Sequence, residues 1–218
     1  MEQTTTDIPG AAVRGTASGV FFMAIFGTLW VDIGIAGLQG WGLPWLIVAG
    51  VLVGVALFTG GASLMRASRQ LTDQVTAENA QYWKRARRWF RIIFATEGIT
   101  MGVTSAICGA SGHYDLIFPL MAIIVGVHFF PLAPLLRMKT HYITGALLCI
   151  LAIVTLIFVP ARATLDGQQI IAWWTVVGLG SALVLWGTGL VLFFLGRRLL
   201  QRGLRQSTQQ PVVQSSLA

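Results

Sequence analysis

The stretch "LIFPLMAIIVGVHFFPLAPLL", residues 116–136, contains a single ionisable side chain, that of His128. A helix of about 20 apolar residues is long enough to cross the hydrocarbon core of a bilayer. The chain is therefore predicted to be an all-α integral membrane protein, a bundle of six transmembrane helices. The other five apolar runs lie at residues 16–38, 43–65, 89 or 92 to 110, 142–160 and 170–196.

The composition agrees with this fold class. Hydrophobic residues make up 55% of the chain and charged residues 11%, with a mean hydropathy of +0.73, which is far from the usual balance of a soluble domain. The runs are continuously apolar, whereas the strands of a membrane barrel alternate between lipid-facing and lumen-facing residues. Because Glu2 and Asp7 stand where a signal peptide would be basic, the first helix is expected to remain in the mature protein.

Basic residues are distributed unevenly between the two ends of the predicted bundle. Fourteen of the fifteen Lys and Arg residues fall at the end that carries both termini, and Arg162 falls at the other end. Basic residues resist translocation, so both termini are predicted to be cytoplasmic. The net charge of +7 is then a topology signal, and nucleic acid is not expected as a partner. The predicted parts are a cytoplasmic N-terminal tail (1–14), a six-helix transmembrane domain (15–196) and a basic, then disordered, cytoplasmic C-terminal tail (197–218).

The segment "YWKRARRWFR", residues 82–91, combines basic and aromatic residues just before the third helix. Lys and Arg at the cytoplasmic surface attract anionic lipids, and Trp and Tyr favour the headgroup level. The bilayer and its anionic headgroups are therefore the expected partners of this segment. The predicted contact residues are Trp83, Lys84, Arg85, Arg87, Arg88 and Arg91.

Three ionisable residues are predicted to lie within spans: Asp32, Glu97 and His128. Such residues are costly in a bilayer, and each is a candidate functional residue. Glu97 and His128 are each eight residues from the inner end of their spans, which places both about 12 Å into the membrane. Since these consecutive helices run in opposite directions and are joined by a short loop, a contact between Glu97 and His128 is predicted.

A polar stripe on the third helix extends this candidate site. Thr100 and Thr104 follow Glu97 at offsets of three and seven residues, which places them on the same helical face. Asp32 lies about 9 Å from the outer end of the first helix and either extends the polar path or reaches the interface. Two interpretations of the pair remain open, a structural clasp between helices and a proton or ion pathway.

The residues give little support to catalysis or to metal binding. "GASG", residues 109–112, resembles the G-x-S-G motif of rhomboid intramembrane serine proteases. That resemblance implies a histidine base on the sixth helix, which has no histidine in this chain. The three histidines are scattered, and the sequence contains no paired-cysteine or H-E-x-x-H zinc motif and no phosphate-binding G-x-x-x-x-G-K loop. No enzymatic activity, metal or cofactor is expected.

The fourth helix also resembles a helix of other proteins. Its Phe-Pro near the start and its Gly-x-His-Phe-x-Pro further on are similar to a helix of uncharacterised bacterial multi-pass membrane proteins. This resemblance implies a multi-pass protein of the bacterial cytoplasmic membrane, and it assigns no activity. The residues that carry it are Phe118, Pro119, Gly126, His128, Phe129 and Pro131.

Two functions remain open from the sequence. One is a small proton-linked permease in which Glu97 and His128 exchange protons. The other is a non-transporting membrane scaffold or accessory subunit that binds lipid or a partner protein. Two G-x-x-x-G pairs predict close helix contacts, either within the chain or in a homo-oligomer. These pairs are Gly15/Gly19 and Gly50/Gly54.

Overall fold

Six long helices make up most of the described chain. The computed structural model describes residues 10–71, 77–136 and 138–214. All six helices are long and apolar enough to cross a membrane, which confirms the predicted number and type of helices and agrees with a multi-pass membrane protein. They are α1 (Gly10–Gly37), α2 (Leu43–Ala67), α3 (Ala77–Ala110), α4 (Ile117–Leu136), α5 (Thr140–Phe158) and α6 (Ala172–Gln214).

Three helices extend beyond their predicted spans. α1 begins at Gly10, α3 begins at Ala77 and α6 continues to Gln214. α6 thus runs as a helix into the segment that the sequence predicts to be a disordered tail, while residues 1–9 and 215–218 lie outside the described residues. The predicted division of the chain into tails and a transmembrane domain stays a prediction. The span prediction counts only apolar residues. An established helix extends at little cost through Lys, Arg, Gln and Glu, which are good helix formers.

α1 and α6 form the core of the bundle through glycine residues on both helices. They run antiparallel. Gly19 lies against Leu192, and further along the pair Gly34 lies against Leu179. A side chain at Gly178 would collide with the backbone of Gly34, so the two backbones are nearly in contact at this point. Small residues permit such an approach between membrane helices, where packing itself supplies the attraction.

α2 packs beside α1 through the second predicted glycine pair. Gly50 lies against Val31, and Gly54 lies against Thr28, both on α1 of the same chain. Gly19 of the first pair likewise faces α6. Gly19, Gly50 and Gly54 therefore serve packing within the chain, whereas Gly15 is exposed and an added Cβ there would meet nothing within 4 Å.

α4 and α5 form a second close pair, and α3 lies at the edge of the bundle against α4. Gly126 of α4 and Gly145 of α5 are in backbone contact. In the most apolar stretch of α3, 6% of the residues are buried, against 44% in the corresponding stretches of α1 and of α6. At Gly98 and Gly102 of α3, an added Cβ atom would meet nothing within 4 Å. α3 is therefore the least tightly held of the six helices.

The two ends of the bundle differ in structure and in charge. One end carries the start of α1, the C-terminal part of α6 and most of the basic residues, and is named here the basic end. The other, the hairpin end, carries an antiparallel hairpin of β1 (Ala163–Leu165) and β2 (Gln168–Ile170). Its turn residues Asp166 and Gly167 both have positive φ, as a two-residue Asp-Gly turn requires. Trp41 Nε1 donates to Asp166 Oδ2 at 3.3 Å, which holds the hairpin against the α1–α2 connection.

Candidate functional site

His128 lies on a face of α4 that is turned toward α3. A neighbouring face of α4 packs on α5 through Gly126 and Phe129, which are both buried. Successive residues of a helix are about 100° apart around its axis, so the residue next to Phe129 points away from α5. α3 covers the face of α4 that carries His128, and His128 is therefore buried, with 7% of its surface exposed.

The imidazole of His128 pairs with the carboxyl group of Glu97 on α3. Nδ1 of His128 lies 3.2 Å from Oε2 of Glu97, and the two side chains are 5% and 13% exposed. The contact predicted from the equal depth of these two residues is therefore present. The prediction that the pair is a functional site is a separate one, and it stays a prediction.

The geometry of the pair permits two hydrogen-bonded forms. An imidazole or imidazolium with a proton on Nδ1 can donate to the carboxylate, and a protonated carboxyl group can donate to a bare Nδ1. Both forms fit a separation of 3.2 Å. A proton can therefore be added or removed while α3 and α4 stay in contact, which a pair of amides or hydroxyls does not allow at ordinary pH.

Phenylalanine rings lie between the pair and the basic end of α3. The ring of Phe94 stands perpendicular to that of His128, with the ring centroids 4.7 Å apart. Phe90 packs on Phe94 at 4.5 Å, and Phe22 of α1 contacts Phe94 at 5.7 Å. These apolar rings shield the pair from water on the side of the basic end.

The second ring nitrogen of His128, Nε2, is buried and has no hydrogen-bond partner among the described residues. An unpaired buried polar group costs about 1–3 kcal/mol. A clasp to Glu97 uses only Nδ1, so it leaves this cost unexplained. Nε2 is a donor or an acceptor according to the tautomer of the ring, and it is the atom through which the imidazole can exchange a proton with a group other than Glu97.

The two threonines predicted to extend the site are placed differently from each other. Thr104 is half-buried, whereas Thr100 is exposed. The hydroxyl of Thr100 donates to the carbonyl oxygen of Thr96 at 2.8 Å. Because α4 is the one long helix that packs extensively on α3 in the described structure, the buried stripe of α3 is narrow. A side chain three residues after Glu97 already points away from α4. The prediction that Thr100 lines the polar route is therefore corrected, because Thr100 lies on the outer surface of α3.

Asp32 is exposed on α1 and forms no hydrogen bond or ion pair with the described residues. It lies five residues before the end of α1 at Gly37, which is about 7.5 Å along the helix axis. This position suits the interfacial role considered for Asp32, in which the carboxylate reaches the headgroup level. The structure does not bring Asp32 to the pair, so the polar path is not extended through it.

His141 is a buried histidine that the predicted span boundaries leave out. It lies in the first turn of α5, is 3% exposed, and its Nδ1 has no hydrogen-bond partner among the described residues. Phe129 contacts both histidines, with ring centroids 5.5 Å from His141 and 6.2 Å from His128. Counting apolar residues starts the fifth span at residue 142 and so assigns His141 to a loop. The sequence feature that could have indicated the burial of His141 is the short connection between the fourth and fifth helices. A residue next to so short a turn lies close to the preceding helix.

A second polar contact joins α5 to α6. The hydroxyl groups of Thr144 and Thr188 are 2.7 Å apart, and both residues are buried. Each hydroxyl also lies within hydrogen-bond distance of a carbonyl oxygen of its own helix. Whichever hydroxyl donates to the other, the hydroxyl that accepts can donate its own proton to the carbonyl oxygen of its own helix. Unlike the contact of His128, this contact leaves no polar atom without a partner.

The basic segment that is predicted to contact lipid headgroups forms the beginning of α3. The segment continues without a break into the apolar part of the helix, so these residues lie at a fixed distance from Glu97 along the helix axis. The side chain of Trp83 lies outside the described residues. The other predicted contact residues are all exposed: Lys84, Arg85, Arg87, Arg88 and Arg91.

Ser111 of the GASG motif follows the end of α3 at the hairpin end. Its hydroxyl donates to the carbonyl oxygen of Ile107 at 2.8 Å, and it forms no hydrogen bond with a described histidine. Within the described ranges, no group of three or more His, Cys, Asp or Glu side chains comes together. Among the described residues, the buried contact between two ionisable side chains is the one between Glu97 of α3 and His128 of α4.

The fold and the pair define a six-helix membrane-type protein with a Glu–His contact buried between its third and fourth helices. Comparisons of the chain with protein-family models, with curated proteins and with solved structures found no match. The resemblance of the fourth helix to bacterial multi-pass proteins therefore gains no support from them. A function has to be inferred from the chemistry of the pair.

Proposed function

We propose that the protein is a small proton-linked permease in which the Glu97–His128 pair takes up and releases the coupling proton. The observation that carries this proposal is the contact itself, with Nδ1 and Oε2 3.2 Å apart and both side chains largely buried. Ionisable residues are rare within membrane spans, and where they occur they often belong to proton relays and substrate pathways. The pair can change its protonation without losing its hydrogen bond, as a coupling site must.

A purely structural role accounts for less of the geometry. Measured polar contacts between membrane helices average about 0.6 kcal/mol, whereas the unpaired Nε2 of His128 costs about 1–3 kcal/mol. Two hydroxyls make a clasp without such a cost, as Thr144 and Thr188 do between α5 and α6. Two ionisable groups are therefore better explained by a step in which a proton moves.

A cavity at the basic end supports a route to the pair. It has a volume of about 260 Å³ and lies between α3 and α4. Phe90 belongs to its lining, and Phe94 connects Phe90 to His128 through successive ring contacts. The proposed route requires these two rings to rotate, because they lie between the cavity and the pair. Pro131 and Pro134 remove two backbone donors from α4 near the cavity, which makes a local bend of that helix less costly.

The proposal includes an orientation and a membrane. With the basic end in the cytoplasm, fourteen of the fifteen basic residues are on the inner side, in agreement with the positive-inside rule. The resemblance of the fourth helix supports a bacterial cytoplasmic membrane.

The orientation is tested with alkaline phosphatase, which is active only outside the cytoplasm. The enzyme is fused after Gly112 in one variant and after Ala218 in another. Activity in the first fusion alone is expected, and activity after Ala218 would refute the orientation.

Proton exchange at Glu97 is the direct test of the coupling site. Infrared difference spectra of the purified protein in lipid are recorded from about pH 4 to about pH 10, the range in which carboxyl and imidazole groups ordinarily titrate. The wild type is expected to show a carboxylic-acid band that changes with pH and that is missing from Glu97→Gln. Thr100→Val alters the exposed side of the same helix and should keep the band. A Glu97 carboxyl that never changes protonation would overturn the proposal.

Transport is measured in proteoliposomes that hold a pH gradient reported by an internal dye. Small organic cations, anions and neutral solutes are added one class at a time. A transported class should collapse the gradient with the wild type and with Thr100→Val, but not with Glu97→Gln. If no class collapses the gradient and His128→Ala only lowers the thermal stability, then the pair is a clasp and the protein is not a permease.

A further inference from the structure

We infer that the cavity between α3 and α4 at the basic end binds the headgroup of an anionic phospholipid, with Arg87 as the phosphate-binding residue. This is the cavity that the proposed route to the pair also uses, but the assignment of a lipid rests on the lining of the cavity and does not depend on proton exchange at Glu97 and His128. The cavity has a volume of about 260 Å³. Its lining residues are Ala86, Arg87, Phe90, Leu135 and Leu136.

The lining combines one cation with apolar walls. Phe90, Leu135 and Leu136 supply the apolar surface, and Arg87 is the one charged residue among the described residues of the lining. Arg87 forms no ion pair with the described part of the chain. A guanidinium group binds phosphate through two parallel hydrogen bonds. The chemistry of the cavity therefore fits an occupant in which a phosphate is joined to an apolar portion.

The position of the cavity along the helices fits the surface of a bilayer. Leu136 is the last residue of α4, and the ends of membrane helices lie near the headgroups. Arg87 precedes Glu97 by ten residues, which is about 15 Å along α3. Arg87 is an exposed residue, so a headgroup can reach it from the membrane surface without passing through the bundle.

The cavity is open toward the surface, so it can hold a headgroup while the rest of the lipid stays outside. The acyl chains would lie outside the cavity on the apolar surface of α3, where Ile92 and Ile99 are exposed.

The surface around the cavity favours a headgroup with a net negative charge. Lys84 and Arg88 lie within one turn of Arg87, and all three side chains are exposed. Juxtamembrane Lys and Arg residues attract anionic lipids, whereas the choline group of a zwitterionic lipid adds a cation that these residues repel. A lipid in the cavity would also join α3, the least buried helix, to the end of α4.

Lipid titrations of the purified full-length protein, followed by native mass spectrometry, test this site. Phosphatidylglycerol and phosphatidylcholine with the same acyl chains are compared, and phosphatidylglycerol is expected to form a 1:1 complex that phosphatidylcholine does not match. Arg87→Gln should weaken phosphatidylglycerol binding about tenfold, the factor expected for one charge-assisted contact. Leu135→Trp fills the cavity without changing the charge and should also weaken binding.

Arg85→Gln is the matched control, because Arg85 is exposed on the same helix but is not part of the lining. It should weaken binding by less than about twofold, as is usual for an exposed charge. Equal losses in Arg85→Gln and Arg87→Gln would show attraction to a diffuse charged surface and would overturn the site. Undiminished binding to Leu135→Trp, or equal binding of phosphatidylcholine, would overturn it as well. Displacement of the lipid by an equal concentration of inorganic phosphate would assign the cavity to a free anion instead.

Discussion

The interface between α1 and α6 and the interface between α3 and α4 differ in what holds them together. α1 and α6 meet through glycines, with backbones nearly in contact at Gly34 and Gly178. α3 and α4 meet through a Glu–His pair and phenylalanine rings, beside a cavity. The first interface permits one close geometry, whereas the second leaves room for side chains to rotate.

This difference has a physical basis in the surrounding lipid. Lipid tails are as apolar as Leu or Ile, so membrane helices are held together by close packing and by polar contacts rather than by the exclusion of water. α1 and α6 use close packing, and 44% of the residues in the apolar stretch of each are buried. In the apolar stretch of α3 only 6% of the residues are buried, so the Glu–His contact forms a larger share of what attaches this helix. The buried Glu–His contact is thus found on the helix with the smallest buried share of residues.

The largest effect is expected from Gly34→Leu in the α1–α6 interface. The Cβ of a leucine would lie 2.8 Å from the backbone nitrogen of Leu179, so the two helices would have to separate. Overpacking a tight site costs about 1–3 kcal/mol, and more where backbones must shift. We expect loss of the monodisperse protein in size-exclusion chromatography. Gly102→Leu, at an open site of α3, should change the free energy of unfolding by less than about 0.5 kcal/mol. Similar losses in the two variants would contradict the contrast between the interfaces.

A smaller loss of stability is expected from His128→Ala. This change leaves the buried carboxyl group of Glu97 without its partner and removes the ring that contacts Phe94. We expect the free energy of unfolding to fall by about 2–3 kcal/mol. Glu97→Gln keeps a hydrogen-bond acceptor for the imidazole and should cost less than about 1 kcal/mol. Unfolding in mixed micelles measures both variants, and the opposite order would show that charge attraction rather than the hydrogen bond holds α3.

Thr188→Val should have a weaker effect still. It removes one hydroxyl of the buried contact between α5 and α6, at nearly constant volume, and leaves Thr144 with its own-helix carbonyl as a partner. The expected loss is about 1 kcal/mol, as for an average hydrogen bond. The double variant with Thr144→Val should cost less than the sum of the two single variants, because each single variant already removes the one contact that the two hydroxyls share. An additive result in the same unfolding assay would show that the two hydroxyls do not interact.

The smallest effect is expected from Asp32→Asn. Asp32 is exposed and contacts neither the pair nor another described polar group. The free energy of unfolding should change by less than about 0.5 kcal/mol, and the pH-dependent carboxyl band of Glu97 should be unchanged. A shift of that band in Asp32→Asn would show that Asp32 does belong to the polar route, contrary to its position in the structure.

Hydropathy and residue counting account for much of the architecture and for the central contact. The fourth predicted span, residues 116–136, and α4 (Ile117–Leu136) differ by one residue, because membrane thickness sets the length of an apolar helix. Glu97 and His128 were paired by their equal distances from the span ends, and they are in contact. The early start of α3 and the burial of His141 were not predicted, since both involve polar residues near the membrane surface. There hydropathy cannot separate a helix from a loop.

Depth in the membrane could thus be derived from the order of residues, but the rotation of each helix about its axis could not. Gly34 and Gly102 occupy similar apolar stretches, yet one lies against α6 and the other has open space beside it. Thr100 and Thr104 both follow Glu97 on its helical face, yet one is exposed and the other half-buried. The physical reason is that residues facing lipid and residues facing another helix are equally apolar. Composition therefore reports how deep a residue lies, and only the packing of the helices settles what it touches.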